Sequence, residues 1–144
     1  MATIKNLIWL FPVIGGILII ISLFFPAAYF ETGDQSLWLI GYNDYVGWPE
    51  DIMDLVLGIL IFSILLGISI IMISLGYESL RGKNYKNLLF LLPIVIIICT
   101  VIWLVAIEGR EDFTWQYYVP MFGSFAPFIG AGIGLIGGIL AYRY

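Results

Sequence analysis

This sequence predicts an all-α membrane protein, a bundle of four transmembrane helices that carries a small extracellular β-hairpin or three-stranded sheet. Three observations predict it. Of the 144 residues, 62% are hydrophobic and only 11% are charged, a balance typical of integral membrane chains rather than soluble domains. Four apolar runs, about 7–25, 55–76, 88–107 and 120–142, are each long enough to cross a bilayer, and none has an ionisable side chain in its interior. The charges outside those runs also sort by side. Lys5, Arg81, Lys83, Lys86 and Arg143 lie in the N-terminus, the second loop and the C-terminus, and the positive-inside rule makes those segments cytoplasmic. Glu31, Asp34, Asp44, Glu50, Asp51, Asp54, Glu108, Glu111 and Asp112 lie outside or at the outer boundary, with Arg110 as the only basic residue there. One membrane domain, 1–144, is the natural count, in an integral membrane protein of the plasma membrane with both termini inside.

The first run follows Lys5 and precedes Pro26-Ala27-Ala28, as in a signal peptide, but it is too long and too aromatic for a signal core. It reads as an uncleaved first span. Gly15 and Gly16 lie about eight residues, or roughly 12 Å, from its inner end. Gly67 in the second span and Gly134 in the fourth lie at similar depths, which predicts a tight inner half and a close crossing of spans one and four at Gly16 and Gly134.

The first outer loop, 26–54, has the residues of a hairpin. Tyr29, Phe30 and Thr32 precede a turn at Gly33-Asp34-Gln35, and Leu37-Trp38-Leu39-Ile40 resumes a strand-prone run. Phe113 to Val119 in the third loop, 108–119, is equally rich in aromatic and branched residues and could add a third strand. The alternative is an interfacial aromatic belt that anchors irregular loops at the headgroups. Trp48-Pro49-Glu50-Asp51 reads as a helix start, with Pro49 at the first helical position and acids in the first turn. The loop at 77–87 is short, basic and polar, as a cytoplasmic turn should be.

In the last run, Gly123, Pro127, Gly130, Gly134, Gly137 and Ala141 fall in one narrow helical stripe. Phe125, Phe128, Leu135, Ile136 and Ile139 point the other way. A smooth face of this kind lets another helix backbone approach closely in lipid. Gly130-x-x-x-Gly134-x-x-x-Gly138 could serve either the chain's own bundle or a glycine-zipper contact between subunits.

Little in the chain points to catalysis. It has no histidine, which removes the usual imidazole base and metal ligand, and its single cysteine, Cys99, permits no dithiol chemistry. Small four-span multidrug exporters rely on a glutamate buried in the first helix, and glutathione-using membrane enzymes on charged helix positions; neither pattern is present. Glu50, Asp51 and Asp54, with Asp34 or Asp44, could hold a hard cation through oxygen ligands. The simpler reading is that acids at a helix N-terminus favour the macrodipole. No enzyme activity, cofactor or nucleic-acid partner is expected.

Pro26 and Ser36-Leu37-Trp38 occupy places in the first outer loop where the claudin and peripheral-myelin-protein superfamily has a proline or polar break and a Gly-Leu-Trp motif. The chain resembles that superfamily in topology and in those loop residues. It has neither of the two disulfide-forming cysteines, carries Ser36 for the motif glycine, and has a much shorter loop. The resemblance implies a non-enzymatic tetraspan with an outer sheet above a left-handed bundle, with Trp38 anchored at the membrane surface.

The expected function is self-assembly, adhesion or scaffolding through an aromatic, acidic outer cap. Its partners are the lipid bilayer and a second copy or another membrane protein. Tyr29, Phe30, Trp38, Tyr42, Trp48, Phe113, Trp115, Tyr117 and Tyr118 are the expected interaction surface, since aromatics are enriched at recognition surfaces. The alternatives are a small channel or transport subunit, an accessory subunit of a larger complex, and a membrane enzyme using outer acids such as Asp44 and Asp54.

Overall fold

The computed structural model describes residues 7–110 and 115–144. Their order is α1 (Leu10–Leu23), β1 (Ala28–Phe30), β2 (Gln35–Leu37), α2 (Ile52–Leu80), α3 (Lys86–Ile107), β3 (Val119–Pro120) and α4 (Phe122–Arg143). Helices α2, α3 and α4 have 29, 22 and 22 residues and are long and apolar enough to cross a membrane. At 1.5 Å per residue they run for about 43, 33 and 33 Å, against roughly 30 Å of hydrocarbon. Helix α1 is shorter than the expected first span, with 14 residues or about 21 Å. Residues 24–26 turn out of the helix, and Pro12 sits in its first turn, where the absent N–H has no helical acceptor to lose.

Neighbouring helices pack in the cycle α1–α2–α3–α4, with α4 against both α1 and α3. Ile19, Leu23, Leu65, Met72, Ile96 and Trp103 fill the centre. The buried hydroxyls there are satisfied on their own helices: Ser69 donates to the Leu65 carbonyl at 2.6 Å and Thr100 to the Ile96 carbonyl at 2.8 Å. Such back-bonding leaves them no donor for a passing polar solute.

Glycines set how closely the helices approach. A Cβ on Gly15 would collide with the Gly130 carbonyl oxygen and lie 3.1 Å from the Gly134 nitrogen, so the α1–α4 crossing is backbone against backbone. Gly16 does not face Gly134, as the sequence depth predicts; its Cβ would sit 2.8 Å from the Ser69 carbonyl of α2. One residue of helical rotation, 100°, makes the difference. Gly137 opens onto Phe11 and Pro12 of α1, and Gly138 onto Leu89 and Phe90 of α3. Gly134 opens onto Met72 and Pro93, and Gly123 onto the carbonyls of Phe25 and Pro26. All the glycines of α4 except Gly132 thus meet segments of the same chain. Gly67 has open space where a Cβ would project, so it is not a packing position.

Above the helices stands a three-stranded antiparallel sheet in the order β2-β1-β3. Phe30 pairs with Gln35 across a four-residue turn, and Tyr29 pairs with Val119 on the other side. The turn closes through Asp34 at φ 48°, a left-handed conformation that aspartate tolerates better than most residues. The partner strand is shorter and earlier than the expected 37–40. Trp38 to Gly41 instead form a tight turn, with the Gly41 N–H donating to the Trp38 carbonyl at 2.8 Å. The third strand lies at the end of the third outer loop, while Phe113 and Thr114 fall outside the described residues. Helix α2 starts at Ile52, three residues after Pro49, because Asp51 caps it: the Met53 N–H donates to Asp51 Oδ1 at 2.8 Å.

Candidate functional site

All of the described acidic residues except Glu78 lie at the cap end of the bundle, and a buried asparagine organises the cap. Asn43 is 1% exposed. Its Oδ1 accepts from the N–H groups of Tyr45 at 2.9 Å and Val46 at 3.3 Å, while its backbone exchanges two hydrogen bonds with Gly47. Its Nδ2 donates to the Tyr118 hydroxyl at 3.4 Å, and that hydroxyl donates to Gln35 Oε1 at 3.1 Å. One network therefore ties the 43–47 loop to strand β2 and to the residue before β3. Asn and Gly suit this loop because Asn bonds its own backbone two residues on and Gly47 takes φ 86°.

That network decides which aromatics face outward. Tyr118 is buried and stacks on Phe30 at 5.3 Å, so it belongs to the interior of the cap rather than to its surface. Phe30 is half-buried against the core. Trp115 is likewise half-buried, donating from Nε1 to the Leu104 carbonyl at 3.3 Å. Trp38, Tyr42 and Trp48 form a chain of rings with centroids 5.8 and 5.3 Å apart, of which Trp48 is half exposed. Tyr117 is exposed and Tyr29 half-exposed. Phe113 lies outside the described residues.

The sequence reading overlooked the most exposed group in this region. Tyr45, Ile52 and Met53 expose 75%, 74% and 75% of their surface, beside the half-exposed Val46 and Trp48. Asp51 and Asp54 flank Ile52 and Met53 in the chain. Ionisable groups are costly in hydrocarbon, so two carboxylates in this first turn of α2 disfavour its burial among lipid tails. A signal was present in the sequence: Ile52-Met53 follows the helix cap and precedes Asp54, outside the apolar run that begins at Leu55.

The acids among the described residues do not assemble into a metal centre. Glu50, Asp51 and Asp54 line one open cavity of about 620 Å³ together with Val46, Pro49, Gly109 and Arg110. Among the described residues no three acids, cysteines or histidines converge closely enough to hold a metal ion. Asp51 is occupied as the helix cap. Asp34 accepts from the Tyr29 hydroxyl at 2.8 Å, and Asp44 Oδ1 accepts from the Ser36 N–H at 2.6 Å, so neither joins them. A cation is already built into the cavity wall: Arg110 is 8% exposed and donates from Nη1 to the Gly41 carbonyl at 2.9 Å. Its charge offsets part of the acidic field without a metal. Gly41, at φ 92°, turns that carbonyl toward Arg110, and Gly58 lets the Ile40 carbonyl rest against α2.

The hydrogen bond to Asp34, then partial desolvation and the charges of Asp34, Glu31 and Asp44, raise the Tyr29 hydroxyl above its usual value of 10.0. A raised value in the folded state means a contribution present at neutral pH, below the unfolded value, and lost as pH rises through the folded one. Asp34→Asn should therefore move the tyrosinate absorbance step of Tyr29 to lower pH, measured against Tyr29→Phe as the blank. An unchanged step would show that the carboxylate does not govern it.

Three apolar helices of spanning length suggest a helical membrane protein, with the three-stranded sheet and its loops forming a cap at one end of the bundle. Comparison with protein-family models, curated protein sequences and solved structures finds no match.

Proposed function

We propose that this chain is a non-enzymatic four-span membrane protein that assembles with a second copy or another membrane protein through its outer cap. The observation that carries the reading is the exposed group Tyr45, Val46, Trp48, Ile52 and Met53, presented beside acids that keep it out of the hydrocarbon. Exposed apolar groups rimmed by polar residues mark interaction sites. The chain's resemblance to the claudin and peripheral-myelin-protein superfamily agrees with such a role.

Helix α1 serves as the fourth span in this reading. Its 14 helical residues cover about 21 Å, and the apolar residues 7–9 and 24–25 extend it at both ends toward the hydrocarbon thickness. Ile14, Ile17, Ile21, Phe24 and Phe25 are exposed along it, as lipid-facing residues would be. The basic 81–86 turn and Arg143 support a cytoplasmic placement of that end, with the cap outside at the plasma membrane. A conduction path through the chain is disfavoured, because Leu65, Met72, Ile96 and Trp103 fill its centre.

The test is association in lipid. Protein labelled in nanodiscs or vesicles should dimerise or capture a membrane partner, and Tyr45→Ser/Ile52→Ser/Met53→Ser should weaken that association at least tenfold. Unaltered association would remove this surface from the reading, and a wild-type chain that stays monomeric and partnerless would overturn the reading itself.

A further inference from the structure

At the opposite end of the bundle from the cap lies a second cavity, of about 670 Å³, between the start of α1, the α2–α3 turn and the end of α4. Lys83, Lys86 and Arg143, three of the chain's six basic residues, line it. Apart from Ser79, Asn84 and Gly82, its other walls are apolar or aromatic, including Trp9, Leu80, Leu89, Tyr142 and Tyr144. Trp9 and the half-exposed Leu80 offer a ligand apolar surface, and the cations offer it charge. That is the profile of an amphiphile with an anionic head.

The cations differ in how far they are already neutralised. Lys83 is paired with Glu78, a contact that raises its pKa above the usual lysine value. Glu78 also lies 3.8 Å from Arg81, which does not line the cavity. Among the described residues, neither Lys86 nor Arg143 has a carboxylate partner. Lys86 Nζ lies 5.3 Å from the Tyr142 ring centroid and the Arg143 guanidinium 5.7 Å from that of Tyr144. Such cation–π contacts orient the charges without neutralising them.

Two features of the fold hold this arrangement. Gly82 takes φ 84°, which lets five residues reverse the chain and bring Lys83 and Lys86 to the mouth of the bundle. The Tyr142 hydroxyl is hydrogen-bonded to Asn87 Oδ1, fixing the ring under Lys86 across α3 and α4. The N-terminus of the 22-residue helix α3, whose cap residue Tyr85 makes no side-chain hydrogen bond, adds its positive dipole end beside Lys86.

We propose that this cavity binds a phosphate ester, with Lys86 and Arg143 as its two ligating cations and Trp9 and Leu80 seating the apolar part of the molecule. The shared chemistry is a phosphate group, carried either by an anionic phospholipid or by a soluble phosphate. Basic pockets between membrane helices recognise headgroups in this way. The site is independent of the outer cap, and its test does not depend on the assembly reading.

Delipidated protein in neutral detergent would be titrated with dioleoyl phosphatidylglycerol, dioleoyl phosphatidylcholine and inorganic phosphate, with binding read by native mass spectrometry. Retention of phosphatidylglycerol over phosphatidylcholine supports the lipid source. Displacement of it by millimolar inorganic phosphate supports the site and assigns a soluble source as well. Lys86→Gln and Arg143→Gln should each lower binding about tenfold or more, the range of a lost charge-assisted hydrogen bond. Arg81→Gln removes equal charge from the same end but outside the cavity and should change it less than twofold. Equal losses for all three variants would show a diffuse surface charge and overturn the proposal, as would no preference of the wild type for either phosphate probe. Circular dichroism of each variant excludes misfolding as the cause of a loss.

Discussion

Gly15→Leu should abolish the native bundle. The Cβ alone would collide with the Gly130 carbonyl oxygen, and the two atoms next in line, Gly134 N at 3.1 Å and Gly130 C at 3.3 Å, are also backbone. No side chain can swing aside there. The helices must separate or slide, losing the packing that replaces hydrophobic drive within lipid. A destabilisation above about 3 kcal/mol is expected, beyond the usual range for overpacked cores. The measurement is thermal unfolding in detergent by circular dichroism, with size-exclusion profile as the check on integrity. Gly67→Ala supplies the contrast, since open space surrounds that position. It should leave stability unchanged or raise it by up to about 1 kcal/mol through helix propensity. If the two substitutions cost the same, the α1–α4 crossing is not the constraint described.

Asn43→Leu should unfold the cap while sparing the helices. Leucine preserves volume but removes the acceptor for two backbone N–H groups and the donor to Tyr118. The residue is buried, so water does not simply replace it on the side facing Tyr118. Loss of about 2 kcal/mol of local stability follows, a factor of up to roughly thirty in local opening. Amide hydrogen exchange would show it as faster exchange across 27–47 and 118–121, with α2 to α4 protected as before. Partner binding should fall in parallel if the 45–53 surface is the contact. Exchange unchanged in the sheet would mean that the strand pairing holds the cap without Asn43.

The contrast between these substitutions shows where sequence reading succeeds. The stripe on α4 was legible because its small residues repeat at helical spacing within one segment, and each of its glycines approaches another part of the chain closely. The second helix carried a readable pattern too. Gly58 and Gly76 are 18 residues apart, five turns of 3.6, and share a face, while Gly67 lies midway on the opposite face. Depth alone groups Gly67 with Gly15, Gly16 and Gly134, but rotation turns it toward open space. Gly58 and Gly76, which meet the carbonyls of Ile40 and Trp9, were passed over.

The cap was legible as strands and illegible as a surface. Branched and aromatic residues around Gly33 foretell a hairpin, and the third strand follows from the same composition near Val119. Which aromatics face outward is another matter. Tyr117 and Tyr118 are chemically identical neighbours, yet one is exposed and the other fully engaged with Phe30, Asn43 and Gln35. Contacts 75 and 83 residues apart decide that, and no local pattern carries them.

By itself the sequence pointed to four apolar spans, three of which are helices of spanning length, and to an aromatic, acidic cap, the segregation of charge and the smooth face of α4. These follow from composition and period, which act within a segment of one or two turns. Tertiary structure alone decided that Gly15 rather than Gly16 meets α4, that Arg110 stands in the acidic cavity, and that Tyr118 is buried. It also gathered Lys86 and Arg143, 57 positions apart, at one mouth of the bundle. The physical reason is that helix rotation and loop closure are set by the sum of weak contacts between segments, which a one-dimensional pattern does not contain.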